Sequence, residues 1–81
     1  MITLLLHIAN TEPIKVDVEE MPNPKDNFII GLNPRERSDK ELTMFDEGVR
    51  TVFFPIWRIN YVEVVPRPED EIEFPMPFRN D

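Results

Sequence analysis

"TVFFPIWRINYVEVVPRP", residues 51–68, is the most informative segment of this chain for its architecture. It contains two runs of β-forming residues, separated by the insert Pro55 to Asn60. Pro55 favours a single tight helical turn, because its fixed φ is already helix-like and its missing N–H would have no partner in a first turn. The stretch therefore predicts two strands joined by a short turn that carries the chain's only tryptophan, Trp57.

The start of the chain predicts two further strands. Apolar and polar residues alternate over residues 2–8 and again over residues 14–18. A period of two is typical of a strand with one buried face. Residues 21–27 combine two prolines, two asparagines and an aspartate, which predicts a loop after the second strand.

The middle of the chain predicts the remaining strands. A third strand opens at Phe28, and residues 33–40 predict its loop or a hairpin tip. Residues 41–54 predict a long β run that bends at 46–48, since glycine inside a strand often marks a turn or bulge. The last strand covers residues 61–65. No window shows helical periodicity and the nine prolines would interrupt most helices, so we expect an all-β chain of about five short strands, a small bent barrel.

The size and composition of the chain favour self-association. Eighty-one residues enclose one core, and a domain of this size buries only about 60 to 65 % of the surface that its unfolded chain exposes. The chain has no cysteine, which excludes disulfides and thiolate zinc sites as additional sources of stability. We therefore expect a homo-oligomer.

Charge and hydropathy restrict the partners and the location. No apolar run approaches the roughly 20 residues that a membrane span needs, and the first residues lack the basic start of a signal peptide, so we expect a cytoplasmic protein with no membrane partner. The formal net charge is −7. This charge weighs against nucleic-acid binding, because phosphates are bound by clustered Lys and Arg side chains.

The order of strand, short turn and a strand that ends in Val64, Val65 and Pro66 resembles the second sequence motif of the Sm-like family. It is most similar to the bacterial host-factor (Hfq) branch, where an aromatic and basic turn leads into a strand that ends on Val-Val-Pro. The segment "RIN", residues 58–60, also resembles the Arg-Gly-Asn turn of archaeal and eukaryotic Sm proteins. The resemblance implies a strongly bent, SH3-like barrel of five strands, whose fourth and fifth strands pair with neighbouring subunits and close a ring. The sequence begins directly in its first strand, so we expect no N-terminal helix.

The same resemblance implies a binding site for single-stranded, often uridine-rich RNA near the pore of the ring. The residues of this sequence that match the turn are Trp57, Arg58 and Asn60. Those that match the loop between the second and third strands are Asn23, Lys25, Asp26 and Asn27, of which Lys25 and Asn27 are the candidate RNA contacts. An aromatic face can stack on a base, an arginine can contact phosphate, and an asparagine can hydrogen-bond a base edge.

A second hypothesis is a non-enzymatic protein-interaction or structural ring, phage-borne or bacterial, that kept the barrel and lost RNA binding. The net charge favours it, and so does Ile59, which stands where the Sm turn has glycine. In that case Trp57 packs at one end of the barrel or at a subunit interface, where tryptophan is enriched.

The sequence indicates neither an enzyme nor a cofactor. Ser38 is the only serine, His7 has no second His or Cys to share a metal, and a barrel of this size has no room for a buried substrate pocket. Residues 1–68 form the predicted barrel, and residues 69–81 form an acidic tail in which prolines alternate with Phe74, Met76 and Phe78. This tail is either disordered or docks in a groove of a neighbouring subunit or of a protein partner.

Overall fold

The computed structural model describes residues 1–67, which form one antiparallel sheet that curls strongly into a half-barrel. The strands follow one another in the sheet in the order β4-β3-β2-β1-β5. Their bounds are β1 Ile2–Ile8, β2 Ile14–Val18, β3 Phe28–Glu36, β4 Thr51–Pro55 and β5 Ile59–Val64. The predicted all-β fold of five short strands is confirmed.

Alternation of apolar residues places the core on the concave face of the sheet. Successive side chains of a strand point to opposite faces, so Leu4 and Leu6 of β1 face inward beside Val16 of β2, and all three are fully buried. The buried cluster comprises Leu4, Leu6, Ile14, Val16, Val18, Ile29 and Phe54.

Strand β3 joins the two halves of the sheet. Its first half pairs with β4, from Phe28 opposite Pro55 to Leu32 opposite Thr51. Its second half pairs with β2, and the register between these two strands shifts between Lys15 and Asp17. A register shift of this kind bends the strand, which contributes to the curl of the sheet.

The predicted turn inside the insert is confirmed. Residues Ile56–Arg58 form a single 3₁₀ turn between β4 and β5, and Pro55 precedes it with φ −66°. The last strand begins earlier than expected, at Ile59, because only one turn of the insert is helical.

The prediction of a long β run over residues 41–54 is wrong. Only β4 is a strand in this segment, and Glu41 makes one isolated bridge to Arg35. Leu42 and Phe45, three residues apart, both pack on the core, a spacing that a strand does not allow. Gly48 then has φ +90°, which turns the chain back toward β4.

The expected loop over residues 33–40 begins later in the structure. Strand β3 continues to Glu36, and the chain turns only between Glu36 and Lys40. Asp39 takes φ +74° in that turn, and its N–H donates to the Glu36 carbonyl at 2.8 Å. The hairpin tip is therefore shorter than the sequence suggested.

Candidate functional site

The loop before β3 and the turn after β4 lie side by side. The Ile56 N–H donates to the Asn27 carbonyl at 2.9 Å, which continues the β3–β4 pairing beyond Phe28 and Pro55. Two segments that are distant in the sequence, the 21–27 loop and the Trp57 turn, therefore meet at one end of the sheet. They hold four of the five residues that the sequence nominated for RNA binding.

An aromatic patch, defined as Phe28, Phe53 and Trp57, covers the outer face of the sheet beside this junction. The Trp57 ring meets the Phe28 ring edge-on, with centroids 5.7 Å apart, and the Phe28 and Phe53 centroids are 6.3 Å apart. Trp57 is 68 % exposed, Phe53 is 60 % exposed and Phe28 is 42 % exposed. Trp57 therefore does not plug the barrel of its own subunit.

Sequence reasoning named Trp57 but missed Phe28 and Phe53. Their neighbours Ile29 and Phe54 face the core, so the strand period turns Phe28 and Phe53 outward. The signal was present in the sequence, because "FII" and "VFF" place apolar residues on both faces of their strands. A strand with one solvated face should instead alternate.

The basic side chains of the predicted site are exposed. Within residues 1–67, neither the Lys25 side chain nor the Arg58 side chain makes a hydrogen bond or an ion pair. The loop that carries Lys25 is held by its own polar groups: the Lys25 N–H donates to Asn23 Oδ1 at 2.8 Å, and the Asn23 N–H donates to Asp26 Oδ2 at 3.1 Å. Both cations are available to a ligand from outside this part of the chain.

Asn27 and Asn60, the two predicted amide contacts, are also exposed. Asn27 adjoins the Trp57 turn through its carbonyl, whereas Asn60 is the second residue of β5. In the described part of the chain, no hydrogen bond joins the Asn60 side chain to the turn or to the loop. The structure thus groups Trp57, Arg58 and Asn27 and leaves Asn60 further along the strand.

A concave surface of about 660 Å³ adjoins the aromatic patch. Phe28, Ile30 and Met21 are among its apolar lining residues, and Glu19 and Glu20 are among its acidic ones. Acidic lining residues repel phosphate, so this concavity is unsuited to a nucleic-acid backbone.

The outer face of β1, β2 and β3 carries a polar network around Asp17. Its carboxylate accepts hydrogen bonds from Thr3 at 3.0 Å, from Arg35 at 3.1 Å and from Asn33 at 3.4 Å. Burial raises the pKa of Asp17, but the hydrogen bonds from Arg35, Thr3 and Asn33 together outweigh it and hold the pKa below its usual value. Asp17 is therefore a structural anion that fixes the register of three strands.

Among the basic residues of the 33–40 segment, Arg35 is already paired with acidic side chains of this network. Lys15 donates to Asp39 Oδ1 at 2.9 Å and Arg35 donates to the same oxygen at 3.3 Å. The hydrogen bonds from Lys15 and Arg35 lower the pKa of Asp39. Arg35 therefore stabilises the hairpin and is not available to phosphate.

The single histidine, His7, contacts side chains of the neighbouring strand β5. His7 Nε2 lies 2.6 Å from Glu63 Oε1, and its ring stacks on Tyr61 with centroids 4.2 Å apart. Among residues 1–67, no three His, Cys, Asp or Glu side chains converge on a position where a metal ion could sit.

Comparison of the chain with models of protein families, with curated proteins and with solved structures gave no match in any of the three. The Sm-like resemblance therefore stays a prediction from the sequence pattern. In the described part of the chain, no helix has the length and apolar character that crossing a membrane requires.

Proposed function

We propose that the protein assembles into an Sm-like ring that binds single-stranded RNA at the Trp57 turn. The observation that carries this proposal is the junction between the turn and the 21–27 loop, where Trp57 is 68 % exposed beside Arg58. An exposed indole face can stack on any base, a contact worth about 1–3 kcal/mol per base. A neighbouring guanidinium can contact the phosphate that follows.

The sheet order supports the assembly part of the proposal. Within residues 1–67, β4 and β5 each pair with one neighbour, β3 and β1 respectively, so both are edge strands. An edge strand presents unpaired N–H and C=O groups that favour pairing with another chain. Pairing β4 of one copy with β5 of the next would use both edges and, in a closed ring, would leave neither open. It would also cover Val64, which is half exposed on β5.

The distribution of charge supports RNA binding less strongly than the geometry does. Residues 1–68 contain eleven acidic and eight basic residues, a net charge of −3, and residues 69–81 contain five acidic and one basic, a net charge of −4. More than half of the excess negative charge therefore belongs to the tail. The barrel is close enough to neutral for Lys25 and Arg58, which lie on the two segments that meet at the junction, to attract phosphate at low salt.

The aromatic patch favours the second candidate function, a protein-interaction ring without RNA binding. Exposed apolar surface on a soluble protein often marks a docking site for another protein. Phe53, Phe28 and Ile30 supply such surface, and Glu19 and Glu20 in the adjoining concavity repel phosphate next to it.

Light scattering with and without a short oligouridine, at low and then moderate salt, tests both candidates. The proposed function predicts an oligomer that gains RNA mass at low salt and loses it as salt rises. Arg58→Ala should weaken binding and reduce the salt slope by about 1, and Trp57→Ala should remove the stacking contribution. Arg37→Ala is the matched control, because it removes an exposed arginine that lies outside the site.

Three results would contradict the proposal. An oligomer that gains no RNA mass at low salt would leave the protein-interaction ring as the better account. A monomer would exclude the ring. Dissociation of the oligomer by Trp57→Ala or Arg58→Ala would assign the turn to the subunit interface.

A further inference from the structure

The aromatic patch has the properties of a surface that binds proline-rich segments. Phe28, Phe53 and Trp57 present three tilted rings to solvent, side by side on one face of the sheet. Proline-rich segments dock on aromatic-lined surfaces, because they lose little conformational entropy on binding and their rings pack on aromatic faces. The chain itself contains such a segment, Phe74-Pro75-Met76-Pro77-Phe78.

We propose that residues 74–78 of the tail dock on the aromatic patch of their own subunit. The dimensions are compatible with this docking. In a polyproline II conformation the chain rises about 3.1 Å per residue, so the backbone positions of Phe74 and Phe78 would lie roughly 12 Å apart. The two ring separations in the patch set an upper limit of about 12 Å on the distance from Phe53 to Trp57. The segment is therefore long enough to cross the whole patch.

The end of β5 lies at the same end of the sheet as the patch. The Val65 N–H donates to the Thr3 carbonyl at 2.9 Å, and Ile2 pairs with Val18 at the end of β2. Asp17, which precedes Val18 in β2, pairs with Leu32 of β3. From Leu32, β3 extends back to Phe28, beyond the end of β2.

The tail is long enough to cover this distance. Strands β1 and β2 lie between β5 and β3, so the separation across the sheet is three strand spacings, roughly 14 Å. The strand registers place Val65 level with Leu32, and the four residues from Leu32 back to Phe28 add about 13 Å along β3, so the straight-line separation is roughly 19 Å. The nine residues from Val65 to Phe74 span up to about 30 Å when extended, which is sufficient without help from a neighbouring subunit.

The charges flanking the patch are complementary to the tail. Glu69, Asp70, Glu71 and Glu73 precede the Pro and Phe residues. Arg58 follows Trp57 in the turn, Lys25 lies in the 21–27 loop that contacts this turn, and neither side chain has a partner within residues 1–67. Since Glu19 and Glu20 line the neighbouring concavity and would repel the acidic residues of the tail, those residues would lie toward Arg58.

The docked tail and a stacked base would both occupy the face of Trp57, so each excludes the other. The proposal does not depend on RNA binding, and its test contains no RNA. A failure of the docking test and a failure of the RNA test are therefore separate results.

Trp57, the only tryptophan in the chain, reports on the patch directly. In the full-length protein, the double substitution Phe74→Ser and Phe78→Ser should shift the Trp57 emission to longer wavelength. It should also raise the acrylamide quenching constant at least about twofold, as the docked population falls from most molecules to few. Ile72→Ser is the matched control, since it removes an apolar side chain of the tail outside residues 74–78. Circular dichroism of each variant establishes that the barrel stays folded.

Peptide addition and dilution complete the test. A synthetic peptide of residues 71–81 added to the double variant should restore the protection of Trp57, and the same peptide with serine at both Phe positions should not. Quenching of the parent protein should be independent of protein concentration, because the docking is within one subunit. Equal quenching in the parent and the double variant would overturn the proposal. So would protection that is lost on dilution, which would assign the patch to a second copy.

Discussion

Gly31→Ala is the substitution for which the structure gives the sharpest expectation. Gly31 lies in β3 with its face toward the core, between Val16 of β2 and Phe54 of β4. A Cβ atom at this position would lie 2.9 Å from both Cβ and Cγ1 of Val16 and 3.0 Å from Cε2 of Phe54. Carbon atoms prefer about 3.5–4.0 Å, so the contact with Val16 is short by roughly 0.6 Å or more.

Neither neighbour can relieve this contact cheaply. The Cβ of Val16 is fixed by its backbone and the side chain is fully buried, so β2 and β3 would have to move apart. Overpacking of a well-packed core costs about 1–3 kcal/mol, and the lower entropy of the unfolded alanine chain returns only about 0.4–1 kcal/mol. We expect the free energy of unfolding to fall by roughly 1–2 kcal/mol, which lowers Tm by about 4–16 °C in a domain of this size.

Urea denaturation followed by circular dichroism at one fixed protein concentration measures this loss, because the stability of an oligomer depends on concentration. Thr51→Ala is the control, since Thr51 is exposed at the neighbouring position of β4 and should change the free energy of unfolding by less than about 1 kcal/mol. A Gly31→Ala protein within about 0.5 kcal/mol of the parent would refute the close approach of the three strands.

Three further predictions test the polar network, the tail and the turn. The lowered pKa of Asp17 means that its stabilising contribution is complete above the usual carboxyl pKa of about 3.9 and is lost as pH falls through the lower folded-state value. The stability difference between the parent and Asp17→Asn, measured by thermal melting, should therefore narrow as pH falls below about 4, and a constant difference would contradict the network. Ending the chain after Pro68 should leave the circular dichroism spectrum of the sheet intact, because the core described above lies within residues 1–67; a collapse of the spectrum would place Phe74 and Phe78 in the core. In the chain that ends after Pro68, where no tail can cover the patch, Trp57→Ala should cost less than about 1 kcal/mol of unfolding free energy, since the side chain is 68 % exposed, and a larger loss at constant concentration would mean that an interface buries it.

Local pattern predicted β1, β2 and the turn, because each depends on neighbours in the sequence. Strand β2 alternates strictly between buried residues and Lys15 or Asp17, and Pro55 restricts its own φ. The same approach failed over residues 41–54, where apolar content suggested a strand. Leu42 and Phe45 pack on the core that the other strands form, and this contact, which local pattern does not encode, decides that segment. The turn at Gly48 is local and lies where a bend was predicted.

The candidate site was only partly predictable for the same reason. Trp57 and Arg58 stand out as an aromatic and a basic residue in a short connection, so the sequence alone nominates them. Phe28 and Phe53 resemble core residues until the β3–β4 register shows that their neighbours already fill the core. The tail, residues 69–81, lies outside the described residues, and its boundary with the barrel stays a prediction.

Composition and local pattern were enough to predict the all-β class, the absence of cysteine chemistry, the acidity of the chain and the single turn that carries Trp57. These properties follow from composition and from residues a few positions apart. The fold was needed to show that the 21–27 loop meets that turn, that Asp17 binds Arg35, and that three aromatic rings share one exposed face. Strand pairing joins residues that are far apart in the chain, and a shift of one residue in register would exchange the two faces of a strand.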